Sequence, residues 1–150
     1  MAFRFRALNI PAEPTEPLRV VHLEIAEPSW QEIDHFIHNE LQYPGDVFLE
    51  FVRGEYLDGM RIGDYDPQIH IVMAVDEDGE NNRRPINPRA CAFYPSATHP
   101  IYGNALLVGE DHSDPYEGWT IVSLHDYVTP KSLVEYVRRI ILPKHPAIKH

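Results

Sequence analysis

Cys91 is the only cysteine of the chain and sits in the run NPRACAFYP, residues 87–95. A cysteine does nucleophilic chemistry as a thiolate, which needs an electropositive, partly open setting. Its neighbours are Ala90, Ala92 and Phe93, and the adjacent cation in sequence is Arg89. Asn87 and Pro88 predict the N-cap and first position of a short helix. That places Cys91 about one turn in, past the amides that lower a thiol pKa. Cys91 therefore reads as a small apolar residue filling core rather than as a nucleophile.

Histidines and carboxylates come next. His35 and His38 are three residues apart, a spacing that can chelate a metal on a helix. Both fall on the side away from the helix's apolar stripe and read as solvated. His112 and Asp114, with His125 and Asp126, offer nitrogen and oxygen ligands from two loops, the basis of an alternative as a metal-assisted hydrolase. Their spacing matches no known cage. Asp64 with Asp66, and Glu77 with Asp78 before Gly79, suit turns. No Gly-x-Ser-x-Gly, His-Glu-x-x-His, Walker or dinucleotide-binding glycine pattern occurs. The expectation is a chain with no catalytic residues, no metal and no cofactor.

Binding is the remaining chemistry. Tyr94, Tyr102, Tyr116 and Trp119, with Asp111 and Asp114, gather around the acidic run GEDHSDPYEG (109–118). Tyr and Trp give large contact area at small entropic cost, so these six predict a surface for a protein partner. An alternative is a ligand-sequestering pocket in which Asn87, Arg89 and the backbone at Gly103 hold a small anion such as a nucleotide. The formal charge of −10 disfavours direct contact with a phosphate backbone. The same charge, clustered in DEDGE (76–80), DGMRIGDYD (58–66) and 109–118, leaves DNA mimicry as a further alternative.

The elements that would position these groups follow from periodicity. The length of 150 residues suits a single domain, with 43% hydrophobic residues to fill its core. Residues 1–17 read as an N-terminal arm, with FRFRAL as a possible short strand. LRVVHLEI (18–25) alternates as a strand with one well-buried face. Ser29 and Glu32 form a capping-box pattern ahead of a helix with the stripe Trp30, Ile33, Ile37 and Leu41. Strands are predicted at 46–52, 69–76, 104–109 and 119–124, with a short helix at 87–93. The stretch 54–68 is read as turns with a short bridging strand. Thr129 and Pro130 open a final helix with the stripe Leu133, Val137, Ile140 and Ile141, and residues 143–150 read as a frayed tail. The order β-α-β-β-α-β-β-α predicts an α+β fold, a mixed or mainly antiparallel sheet with helices packed on one face. No apolar run reaches the ~18 residues of a membrane span. No apolar segment follows the first arginines, and a lone cysteine offers no disulfide framework; both suit a cytoplasmic protein.

Across residues 18–125 the motifs resemble an uncharacterised small domain encoded by many actinobacterial phages and found in gut metagenomes. The resemblance is carried by Val75-Asp76 with Gly79, Asn87-Pro88-Arg89-Ala90, Ile101-Tyr102-Gly103 and Leu107-Val108-Gly109. The insertion YPSATHP and the last helix depart from that pattern. The resemblance implies a phage or prophage accessory protein acting in the host cytoplasm, with no catalytic residues to carry over.

Overall fold

A computed structural model describes residues 3–27, 29–41, 47–61, 66–116 and 118–145. Six strands form one antiparallel sheet: β1 (Phe3–Ile10), β2 (Arg19–Ile25), β3 (Leu49–Val52), β4 (Ile69–Asp76), β5 (Ala105–Asp111) and β6 (Thr120–Val122). The spatial order is β2-β1-β5-β4-β3, with β6 beside β5. Four α-helices connect them: α1 (Trp30–Leu41), α2 (Glu55–Asp58), α3 (Pro88–Cys91) and α4 (Pro130–Tyr136).

Central strands are apolar on both sides. Val72, Ala74, Leu106 and Val108 meet Ile33, Ile37 and Leu41 of α1. Ile71, Met73, Val75, Ala105 and Leu107 meet Leu57 of α2, Ala90 of α3 and Leu133 of α4. The helices therefore cover both faces, not one as the sequence suggested. The physical reason is visible in β4 and β5, whose near-continuous apolar runs cannot leave either face in water.

The expected N-terminal arm is also corrected. FRFRAL belongs to β1, which lies between β2 and β5 and buries Phe5, Ala7, Leu8 and Ile10 completely. Its alternation with arginine looked peripheral, yet Arg6 is only 8% exposed. Arg6 donates to the carbonyl oxygens of His125 at 2.6 Å and Val128 at 2.7 Å, so its charge is buried with partners. β2 is the edge strand instead, with Val21 and Leu23 half-buried and only Ile25 fully inside. The remaining elements follow the predicted order, except that 55–58 is the short helix α2 rather than a bridging strand. Asp64 and residues 146–150 lie outside the described residues, as does most of the expected tail; residues 142–144 form a 3-10 turn.

Asn87 and Thr129 cap as expected, and one half of the box expected at Ser29 is present. Asn87 Oδ1 accepts from Ala90 N–H at 3.1 Å, and Thr129 and Ser132 bond reciprocally at 2.8 and 3.0 Å. Ser29 Oγ accepts from Glu32 N–H at 3.4 Å. After α4 the chain widens into a π-helical turn, 137–141, which keeps Ile141 buried and turns Ile140 outward.

At the end of β5, Gly109 pairs with Val122 of β6. A Cβ on Gly109 would stand 2.7 Å from the Ser123 carbonyl oxygen, so the bare backbone is what lets β6 dock here.

Candidate functional site

The ends of four strands converge beyond the first turn of α1. Arg53 follows β3 in phase with Phe51, His70 is second in β4 opposite Glu110 of β5, His112 follows β5, and Trp119 precedes β6. Strand alternation puts Arg53, His70 and Glu110 on the face that α1 covers further along. Together with Ser29, Trp30, Ile33, Phe51, Thr120 and Ile121, Arg53, Glu110 and Trp119 line a cleft of about 700 Å³.

Its floor is a polar network. Arg53 grips Glu110 in two-pronged fashion, Nε to Oε1 at 2.7 Å and Nη2 to Oε2 at 2.5 Å. His112 Nε2 lies 2.7 Å from the same Oε1. Glu110 is 2% exposed. Burial alone would raise its carboxyl pKa, but the hydrogen bonds from Arg53 and His112 win and hold it below the ordinary carboxylate range. An ionised carboxylate only accepts, so His112 presents its Nε2–H to it. The same pair raises the Arg53 pKa, through the Glu110 hydrogen bond against burial.

Rings are layered on this network. His70, whose Nδ1 is 3.0 Å from Asp58 Oδ1, stacks on His112 at 3.9 Å and 21°. His112 stacks on Trp119 at 4.0 Å and 8°. The Arg53 guanidinium carbon is 4.8 Å from the Trp119 ring centre, within cation–π range. Trp119 thus rests flat against groups tied to one carboxylate, yet it is 56% exposed. Across the cleft Trp30 leans on Phe51 at 6.5 Å and is 51% exposed. Sequence periodicity placed Trp30 in the buried stripe; at the first helical position it overhangs the sheet instead.

The six predicted partner-binding residues separate into groups. Asp111, Asp114, Tyr116 and Trp119 stay together at the cleft end of β5. Asp111 accepts from Ser113 N–H and Asp114 from Tyr116 N–H, each at 2.8 Å, leaving the Tyr116 side chain fully outside at 95% exposure. Tyr102 is at the opposite end of β5, bridged to Ile86. Tyr94 lies on the other face of the sheet against Gly54, half-buried. Its hydroxyl has no hydrogen-bond partner among the described residues, and burial, with Asp58 and Glu50 nearby, raises its pKa.

The three residues expected to bind an anion serve the fold. Asn87 is fully buried, and its Nδ2 donates to the carbonyl oxygens of Ile10 at 2.8 Å and Gly103 at 3.0 Å. Arg89 Nη2 donates to the carbonyl oxygens of Pro11 at 2.7 Å and Glu13 at 3.1 Å. Gly103 takes a left-handed turn, φ 85°, and its N–H bonds Pro85. These contacts give the three residues structural work, and Glu13 and Glu16 stand near Arg89, whose buried Nε has no hydrogen-bond partner among the described residues.

Cys91 Sγ accepts from Ile101 N–H at 3.2 Å, and burial raises the thiol pKa. The N–H bond by itself favours the thiolate, but burial outweighs it, and a thiol so raised is a poor nucleophile. His38 is 3.5 Å from Asp34 of its own helix, and His125 stacks on Tyr127 at 4.4 Å. Among the described residues no three His, Cys, Asp or Glu side chains converge as a metal cage. No described helix is long and apolar enough to cross a membrane.

Arg53, Glu110 and His70 were missed as a site. The signal was available: charged residues in strand phase with Phe51 and Val108 must be buried in pairs.

No protein-family model and no curated protein matches the chain. The crystal structure of the small RNA methyltransferase HEN1 is similar in fold, with 16% identity and a TM-score of 0.53. The likeness covers 91% of this chain and 16% of that one. At this identity it shows the fold alone.

Proposed function

We propose that this chain is a non-enzymatic binding protein that engages a protein partner through the cleft end of β5. Its recognition residues are Trp119, Trp30 and Tyr116, with Asp111 and Asp114 on the rim. The sequence resemblance of residues 18–125 to a phage-encoded domain supports reading the partner as a host protein and the chain as a phage or prophage accessory protein of the host cytoplasm.

One observation carries this proposal. An indole 56% exposed is held flat on a bonded Arg53–Glu110–His112 network. A tryptophan offers large contact area, and a rigid one loses little entropy when a partner covers it. Arg53, Glu110 and His112 are bonded to one another beneath it, so the network orients the ring. Affinity capture from an actinobacterial lysate, with mass spectrometry, tests this. A partner retained by the natural chain and lost from Trp119→Ala and Tyr116→Ala, both verified as folded by circular dichroism, is the expected result. Identical captures from all three proteins would overturn it.

A further inference from the structure

We infer that the cleft takes an apolar side chain from a partner segment whose flanking residues are Lys or Arg. This deepens the protein-binding proposal and rests on it.

Two features of the cleft specify that chemistry. Its walls are Trp30, Ile33, Phe51, Trp119 and Ile121, and its one charged pair, Arg53–Glu110, is internally neutralised. A cleft of about 700 Å³ with such walls accommodates an apolar side chain with room for its backbone. The cleft's surroundings are acidic in sequence: Glu27 and Glu32, both exposed, neighbour Ser29 and Trp30, and the exposed Asp114 lies in the loop between Glu110 and Trp119. The cleft's lining includes a single cation, Arg53, which is engaged with Glu110.

Charge complementarity therefore favours a basic segment. It disfavours a second copy of this chain, which carries −10 itself and would bring like charge to acidic surroundings. An isolated arginine is a poorer occupant than a basic segment with an apolar centre, because the cleft floor offers it no unpaired carboxylate.

The chain has two tryptophans, so its indole N–H groups give two resolvable signals in a nitrogen–proton correlation spectrum. Three blocked peptides are titrated: Ac-KRGLGRK-NH2, the same with alanine for the central leucine, and the same with glutamate at all four charged positions. The leucine-centred basic peptide is expected to shift both indole signals and to bind at least about tenfold tighter than either control, the ratio that burying one such side chain supplies. Raising salt from about 50 to 500 mM should weaken it several-fold, since exposed charges are screened. Equal binding of the glutamate peptide, or equal binding of the alanine peptide, overturns the inference. So does failure of all three to shift either indole at millimolar concentration. Should those results coincide with capture that still depends on Trp119, the protein-binding proposal stands and only the segment chemistry falls. Capture independent of Trp119 removes the proposal itself.

Discussion

The two ends of β5 solve the same problem in different ways. At its start, Asn87 and Arg89 direct buried polar atoms onto backbone carbonyls of β1 and the segment that follows it. At its finish, Glu110 is buried just as deeply, but its partners are side chains, Arg53 and His112. The first end stitches chain to chain, and the aromatic residue beside it, Tyr102, is half-buried. The second holds the half-exposed Trp119 over its network, with the half-exposed Trp30 across the cleft. Buried polarity alone thus does not mark a site; the contrast lies in what is left exposed around it.

The comparison is broken most severely at Asn87. Asn87→Ala strands the carbonyls of Ile10 and Gly103 and the Ala90 N–H, all buried, and should cost about 3 kcal/mol or more in denaturant unfolding. If the start of β5 is structural only, any folded Asn87 variant captures partner as the natural chain does.

Glu110→Gln is next. Removing the charge beneath Arg53 should cost about 2 kcal/mol, at the low side for a buried pair because Arg53 is 42% exposed. Its pH dependence has a definite sign. The folded carboxyl titrates below its unfolded value, so its contribution is complete above about pH 4.3 and is lost as pH falls through the folded value. Stability measured against pH should drop more steeply on the acid side in the natural chain than in Glu110→Gln. Parallel curves would show that Arg53 and His112 do not stabilise the charged form.

Gly118→Ala sharpens the comparison. Gly118 has φ 81° with open space where a Cβ would stand, so the cost is conformational, about 1–2 kcal/mol. Because it precedes Trp119, partner affinity should weaken along with stability. Trp119→Ala has the smallest effect on folding, about 1 kcal/mol from lost stacking and cation–π contact, and the greatest on capture. A large loss of stability there would make Trp119 a structural residue.

Local signals determined much of this molecule. Strand β4, the caps at Asn87 and Thr129, the stripe of Ile33, Ile37 and Leu41, and the antiparallel α+β class all follow from periodicity and turn chemistry within about twelve residues. Cys91 was expected to fill core, yet it is half-buried and lines a second cleft with Ile86, Pro88 and Tyr94. The place of β1 was not legible, because an arginine is buried only if carbonyls more than a hundred residues away arrive to receive it. Nor was the cleft. Arg53, Glu110, His112 and Trp119 come from three separate stretches, and their meeting depends on which strands pair and in what register. A side chain's phase along its own strand is written locally. Which partner stands opposite is decided by long-range pairing, and that pairing alone separated Tyr102 from Trp119 by the length of a strand.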